Sequence, residues 1–206
     1  MLTIDWSLQG GWAKPQIVPY GPIKMETSAT SLHYGLSAHE GLNIIENRET
    51  GKLQSFRPEL HIDHFIKSSE HLEMPGFDGD ELLKCIRDLA SLDKDWIAIE
   101  SEPDQFYTRL LHISTDSTLG VRPPHHSKVI AMLNPVRLQQ RPVSLKCSYG
   151  VNKNWPLGHG EFRIGGNLGP LIPTVADARD NGFDDVLWLL DDYITEMTIL
   201  NVFVFW

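Results

Sequence analysis

Short stretches of alternating or continuous apolar residues along the chain predict β-strands. The clearest alternation is Leu2-Thr-Ile-Asp-Trp6 at the start of the chain. The other stretches are 42–46, 53–56, 105–114, 127–133, 143–147, 185–190 and 201–206. Segments 42–46 and 53–56 flank Glu49-Thr-Gly-Lys52, so we expect them to form a hairpin. Asp191-Asp192 is expected to turn the chain after segment 185–190.

Helical periodicity is clearest in Asp80–Leu92, where apolar residues repeat on one face and charged residues occupy the other. The apolar face consists of Leu82, Leu83, Ile86, Leu89 and Ala90. A second helix is expected from Arg57-Pro58 to about Leu72, because proline suits the first turn of a helix. Segment 31–41 reads as a short helix that Gly41 ends.

The last predicted helix follows Pro170 and ends at Asn181-Gly182, a pair suited to a helix C-terminus. Pro173 falls inside this segment and is expected to kink or shorten the helix. Helices and strands therefore mix along the whole chain.

The composition is that of a soluble globular protein: 206 residues, 41% hydrophobic and 22% charged. A formal net charge of -9 argues against a general binder of nucleic acid or of anionic membranes. Cys85 and Cys147 make neither a disulfide framework nor a zinc site, and each is expected to be a small buried residue. Neither a signal peptide nor a membrane-spanning run is visible, so we expect a cytoplasmic protein, with a mitochondrial location left open.

The segment GHGEFRIGGNLGP, residues 158–170, contains paired glycines, an Asn, a Pro and one cation, Arg163. Glycines allow a close approach of backbone to a ligand, and a helix N-terminus that follows offers N–H groups to an anion. The spacing matches neither the dinucleotide fingerprint nor the Walker motif. A plain joint between a strand and a helix explains the segment equally well.

Two pairs of histidines suggest metal binding at first sight. His61 and His64 lie one helical turn apart, and His125-His126 are adjacent. No further acid or cysteine stands at a spacing that completes either site, so we expect no metal.

The chain resembles the branched-chain amino-acid aminotransferases, the fold-type IV enzymes that use pyridoxal phosphate. The resemblance is carried by segments that follow in family order along almost the full chain. These are 1–6, 31–34, 40–41, 56–58, 82–87, 93–96, 107–109, 119–121, 165–170, 186–189, 194–196 and 201–206.

The resemblance implies a two-domain protein of mixed α+β and α/β architecture, fold-type IV aminotransferase-like, with the second domain incomplete. The smaller N-terminal domain would cover 1–135, a linker 136–142, and the first part of the larger, cofactor-binding domain 143–206. The polar segment 134–142 is also the best linker on composition alone. The family's second domain continues past the equivalent of Trp206, and a terminal apolar strand would expose its edge, so the sequence looks cut short.

Arg163 aligns with the family lysine that forms the Schiff base with the cofactor and moves the proton during transamination. That chemistry needs a neutral amine at some point in the cycle. A guanidinium stays protonated and does not form the imine, so covalent attachment of pyridoxal phosphate is not expected here.

The resemblance assigns five further positions to the cofactor, and several are substituted. His64 stands at the arginine that holds the phosphate, and Leu168 at the tyrosine that bonds the phenolic oxygen. Ile199 and Thr198 stand at a threonine and a glycine of the phosphate-side turn. Glu196 matches the glutamate that pairs with the pyridine nitrogen.

Four positions correspond to the substrate pocket of the family. Tyr34, Tyr107 and Arg109 match family residues, whereas His39 replaces the phenylalanine that lines the side-chain pocket. A polar ring at that position suits an aliphatic side chain poorly. The two tyrosines could equally be half-buried core aromatics, and Glu196 could be a turn acid.

By ancestry the chain would transfer amino groups between leucine, isoleucine or valine and 2-oxoglutarate. Loss of the lysine predicts impaired catalysis. Two alternatives remain: an inactive relative that pairs with a full-length paralogue, or a non-functional gene fragment. Because the family is dimeric, the resemblance implies a homodimer or a heterodimer, an amino acid or 2-oxo acid as ligand, and no nucleic-acid or membrane partner.

Overall fold

The computed structural model describes residues 1–47, 49–97, 105–136, 141–150 and 152–206. The chain divides into two compact units. Unit 1 contains the described residues up to 136 together with 163–165, and unit 2 contains the described residues of 141–162 and 166–206. No helix in these described ranges is long and apolar enough to cross a bilayer.

Unit 1 is built on an antiparallel sheet with the strand order β2-β1-β7-β6-β4-β5, and β3 also pairs with β1. Two longer helices and one short helix accompany the sheet. The elements are β1 Leu2–Ser7, β2 Gly11–Trp12, β3 Gln16–Ile17, α1 Thr30–Tyr34, β4 Ser37–Asn47, β5 Lys52–Ser55, α2 Pro58–His71, α3 Gly79–Leu92, β6 Gln105–Ser114 and β7 His126–Val136. The predicted strands, the hairpin and both longer helices are confirmed.

The core of unit 1 lies between one face of the sheet and helices α2 and α3. Alternate residues of β4 point into this core, because successive side chains of a strand face opposite sides. Phe65 of α2 and Leu89 of α3 are fully buried there. Asp78 caps α3 by accepting a hydrogen bond from the Glu81 amide, which fixes where the helix begins.

The prediction of a helix over 31–41 was wrong beyond its first turn. The helix α1 ends at Tyr34, and Gly35 adopts a left-handed conformation with φ 64° directly after it. Ser37 already begins β4, so Gly41 lies inside a strand. The earlier glycine ends the helix because it carries the positive φ that a C-terminal cap requires.

Unit 2 contains a three-stranded sheet with the order β10-β9-β8. Strands β8 and β9 are parallel, and β9 and β10 are antiparallel. The elements are β8 Leu145–Ser148, α4 Ile172–Asp180, β9 Asp185–Leu190 and β10 Tyr193–Met197. Trp188 is fully buried against Leu171, Ala178 and Val186. Asp191 and Asp192 turn the chain with φ values of 48° and 66°.

Of the kink or shortening expected at Pro173, the structure shows no kink. Helix α4 begins at Ile172, so the proline lies in the first turn, where its missing N–H has no helical partner to lose. Cys147 is exposed and not buried as predicted.

Segment 201–206 was predicted as a strand and is not one. Within the described residues no neighbouring strand pairs with it, and Phe203 and Phe205 are almost fully exposed. A strand needs such a partner to satisfy its backbone N–H and C=O groups. The linker prediction over 134–142 fails at its start, because β7 continues to Val136. Residues 137–140 of that segment lie outside the described ranges.

Candidate functional site

Glu40 is a buried acid of β4 with polar contacts from three other side chains of unit 1. Its side chain is 2% exposed, and His64 Nδ1 lies 2.7 Å from its Oε2. Arg163 Nε lies 3.4 Å from the same oxygen, and His61 Nδ1 lies 3.6 Å from Oε1. The Gly41 amide donates to Oε1 at 2.8 Å. An ionised carboxylate can only accept, so His64 carries a proton on Nδ1.

The surroundings of Glu40 stabilise its ionised form. Burial alone would raise the pKa of this carboxyl. The bond from His64, the Gly41 amide and the charge of Arg163 outweigh that effect and hold the pKa below its usual value. Glu40 therefore provides a buried negative charge that Arg163 and His64 both contact.

Backbone contacts hold Arg163 beside β4. The His39 amide donates to the Arg163 carbonyl at 2.9 Å, and the Arg163 amide donates to Ser68 Oγ at 3.1 Å. The next residue, Ile164, forms a bridge with Ala38. The guanidinium side chain is 49% exposed, so Arg163 is fixed at its base and reaches water at its end.

Tyr107 and Arg109 lie on the opposite face of the sheet from Glu40. Gly41 pairs with Arg109 across β4 and β6, whereas Glu40 pairs with Leu110, and residues directly opposite each other share a face. Arg109 Nη1 is 3.4 Å from the Tyr107 hydroxyl. Tyr34, at the end of α1, is half exposed and has the His33 ring 6.1 Å away.

The absence of a side chain at residue 41 makes room for Tyr107. A Cβ built on Gly41 would lie 2.6 Å from Tyr107 Cζ and would overlap its hydroxyl. We expect Gly41→Ala to displace the Tyr107 ring and to lower the free energy of unfolding by about 1–2 kcal/mol, as overpacking does. Urea denaturation measures this change. Gly76→Ala is the control, because nothing lies within 4 Å of a Cβ there, and equal stability of both variants would contradict the prediction.

In unit 2, Glu196 is held by two neighbouring side chains. Lys153 Nζ lies 2.9 Å from Glu196 Oε1, and Asn154 Nδ2 donates to the same oxygen at 2.9 Å. The Lys153 side chain is 13% exposed and also donates to the Gly160 carbonyl at 3.0 Å. With Asn154 Oδ1 at 3.4 Å, the ammonium has three acceptors for its three protons. Lys153 is therefore held by polar contacts to three neighbouring residues.

The remaining predicted positions of unit 2 carry little polar chemistry. Leu168 packs on the core of the unit, and Ile199 is 75% exposed. Thr198 Oγ1 accepts a hydrogen bond from the Trp188 indole at 3.1 Å. The Thr198 hydroxyl is thus engaged with the core of unit 2.

The structure brings together residues that the sequence interpretation treated separately. His64 and Arg163 both contact Glu40. The sequence analysis assigned no role to Glu40. His61 and His64 both contact that carboxylate through Nδ1, at 3.6 and 2.7 Å. The described residues hold no cluster of three or more His, Cys, Asp or Glu that could hold a metal ion. The helical spacing of the histidines was a usable signal, but their partner on β4 was not visible.

Comparison with known proteins identifies relatives over the whole chain. No protein-family model matches it. The cytosolic branched-chain-amino-acid aminotransferase of Mus musculus is 35% identical over 213 aligned residues, which are 100% of this chain and 55% of that protein. The Dictyostelium discoideum enzyme is 33% identical and is covered to 55%. The chain thus spans about half the length of these curated relatives.

The names of the relatives include both cytosolic and mitochondrial forms. The expected cytoplasmic location of this chain therefore stays a prediction.

Solved structures give the same result at the level of the fold. The Escherichia coli branched-chain amino acid aminotransferase superposes with a TM-score of 0.71 at 21% identity, covering 96% of this chain and 62% of that one. The T.th. enzyme, solved with pyridoxamine 5'-phosphate, gives 0.69 at 22% identity, with 95% and 61% covered. Sequence and fold agree: the chain has the fold-type IV fold and is similar along its whole length to the branched-chain-amino-acid aminotransferases.

Proposed function

We propose that this chain is a branched-chain-aminotransferase-like protein that has lost covalent catalysis at residue 163. Solved relatives hold pyridoxamine 5'-phosphate, 4-methylvaleric acid and norvaline, which supports pyridoxal phosphate as the cofactor and amino acids, with their 2-oxo acids, as ligands. The observation that carries the proposal is Arg163, whose guanidinium is bound to the buried Glu40.

The chemistry of the side chain at residue 163 decides whether the cofactor can be attached. When bound, pyridoxal phosphate supplies the electron sink of transamination and needs a neutral primary amine on the protein. Arg163 supplies a permanent cation, and Glu40 stabilises that charge further. The position keeps its charge and loses its nucleophile.

The other residues at the positions that the resemblance assigns to the cofactor are also poorly suited to hold a covalently attached cofactor. Leu168 and Ile199 provide no hydrogen-bonding side chain, and His64 is bound to Glu40 in place of a permanently charged arginine. Glu196 is paired with Lys153. Because these residues do not fit a covalently held cofactor, we derive no reaction step through it and expect at most non-covalent binding.

Reductive trapping tests the proposal. The chain is mixed with pyridoxal phosphate, reduced with borohydride, digested and mapped by mass spectrometry. We expect no specific adduct on the wild-type chain and a pyridoxyl adduct at residue 163 of Arg163→Lys. Arg179→Lys, an added lysine on the exposed side of α4, is the matched control and should gain no specific adduct.

A specific adduct on a wild-type lysine, together with turnover of leucine and 2-oxoglutarate, would overturn the proposal. Lys153 is the lysine to inspect, because it contacts Glu196. We expect it to remain unmodified, because its Nζ already contacts Glu196, the Gly160 carbonyl and Asn154.

A second candidate function is pairing with another subunit. It rests on the dimeric state that the resemblance implies. The partner would be a second copy of this chain or a full-length paralogue. Co-purification with a tagged paralogue supports this function, whereas a chain that elutes as a stable monomer in its presence counts against it.

A further inference from the structure

Two residues of unit 2 meet at the carboxylate of Asp184, directly before strands β8 and β9. Arg141 donates to both of its oxygens, at 2.5 Å from Nη2 and at 3.2 Å from Nη1. The Ser144 amide donates to Asp184 Oδ2 at 2.8 Å, and the Ser144 hydroxyl donates to the same oxygen at 3.1 Å. The Asp184 amide in turn donates to the Ser144 carbonyl at 2.8 Å. Arg141, Ser144 and Asp184 thus form one polar cluster, which we call the Asp184 cluster.

Ser144 is accessible from solvent although it is hydrogen-bonded. Residues 141–144 are exposed and lie outside helices and strands, since β8 begins at Leu145. The Arg141 side chain is 54% exposed. Because an exposed ion pair contributes little to stability, a carboxylate of another protein can displace Asp184 from Arg141.

The sequence around Ser144 has the charge pattern that basophilic protein kinases select. Arginine stands three residues before the serine, in Arg141-Pro-Val-Ser144. Of all the serines and threonines in the sequence, Ser144 alone follows an arginine at this distance. Such a kinase discriminates among hydroxyl groups through its carboxylates, which pair with the arginine. The hydroxyl that this pattern marks is the one that contacts Asp184.

We propose that Ser144 is a phosphorylation site and that phosphorylation breaks the Asp184 cluster. The γ-phosphoryl group of a nucleoside triphosphate passes to Ser144 Oγ, the hydroxyl proton passes to the catalytic carboxylate of the kinase, and the nucleoside diphosphate leaves. The inference goes beyond the proposed function, because it involves neither residue 163 nor the cofactor.

The phosphate changes both the donors and the charge around Asp184. Once it is esterified, Ser144 Oγ has no proton to donate to the carboxylate. Arg141, with the Ser144 amide, holds the pKa of Asp184 well below its usual value, so an ionised carboxylate faces a phosphate of charge about −2. The phosphate also offers Arg141 two parallel hydrogen bonds and competes with Asp184 for it. Lost donors and like charges together favour separation of 141–144 from Asp184.

Incubation of the full chain with calmodulin-dependent protein kinase II, Mg²⁺ and ATP tests whether the site is used. This kinase selects arginine three residues before the acceptor, so we expect peptide mapping by mass spectrometry to find phosphate on Ser144. Arg141→Gln should lower the initial rate at Ser144 at least about tenfold, because the kinase carboxylates lose their partner. Arg179→Gln is the matched control, since it removes an exposed arginine of the same unit, and it should leave the rate unchanged.

Amide hydrogen exchange measures whether the Asp184 cluster opens. In the phosphorylated chain the Asp184 amide should exchange at least about tenfold faster, because its bond to the Ser144 carbonyl opens more often. The Asp93 amide, which donates to the Leu89 carbonyl in unit 1, is the internal control and should keep its rate.

Three outcomes overturn the inference. The first is absence of phosphate from Ser144 of the folded chain, whether or not a peptide of residues 137–148 is modified. The second is an equal rate for Arg141→Gln and wild type, and the third is unchanged or slower exchange of the Asp184 amide after phosphorylation. The trapping experiment on Arg163→Lys is unaffected by any of them.

Discussion

Acidification from pH 7 to pH 5 is expected to lower the free energy of unfolding of unit 1 by about 2 kcal/mol through His112 alone. This residue of β6 is completely buried. Ser69 Oγ lies 3.1 Å from its Nδ1, and Ser127 Oγ lies 3.1 Å from its Nε2. The rings of Trp12 and Phe77 pack 5.7 and 5.8 Å away. Hydroxyl groups can donate or accept, so these partners satisfy a neutral imidazole.

The sign follows from the pKa of His112 in the two states. Burial lowers it from 6.5 to about 3 in the folded protein. Between these values the unfolded chain binds the additional proton, so stability rises with pH. The contribution is fully present above pH 6.5 and is lost as the pH falls towards 3, in total about 4–5 kcal/mol.

Urea denaturation at pH 7 and pH 5 measures the effect. His112→Gln, which cannot titrate, should lose this part of the pH dependence, whatever its stability at pH 7. His125→Gln is the control: the side chain is exposed, and the backbone amide that donates to Asp116 at 2.9 Å is retained. A pH dependence that is the same in His112→Gln and in wild type would contradict the assignment.

Local sequence patterns predicted the helices and strands whose burial follows a simple period. Helix α3 is the best example, because its apolar face and its cap are contained within one segment. The prediction for segment 31–41 was wrong because either Gly35 or Gly41 could end the helix. The sequence does not show which of the two takes the positive φ. Segment 201–206 has a strand-like composition, but a strand also needs an adjacent strand that pairs with its backbone groups. The composition of the segment does not show whether such a partner exists.

The candidate site shows a similar limit. The resemblance identified Arg163 and His64 as substituted positions, yet sequence alone did not predict that both bind Glu40. These contacts depend on how α2 packs against β4. The hydrophobic periodicity of a single segment does not determine that packing. The pairing of Lys153 with Glu196 is of the same kind. Sequence therefore predicted which side chains have changed, whereas the structure shows what those side chains now contact.

Removing the charge of Glu40 is the direct test of this arrangement. We expect Glu40→Gln to lower the free energy of unfolding by about 2–3 kcal/mol. The glutamine keeps the shape but faces His64 and Arg163 with an amide that can accept at one oxygen only. The estimate lies below the 3–5 kcal/mol typical of breaking a fully buried pair, because both partners keep access to water, at 37% and 49% exposure.

A double-mutant cycle separates the Glu40–His64 contact from the rest of this loss. His64→Gln and the double variant should reveal a coupling of about 1 kcal/mol or more in urea denaturation. Because the pKa of Glu40 is lowered in the folded state, its contribution is present above its ordinary value of 4.5 and fades as the pH falls below it. The difference between Glu40→Gln and wild type should therefore shrink in acid. Additive effects of the two substitutions, or a loss no larger than that of a surface substitution, would mean that Glu40 does not hold His64 and Arg163 in place.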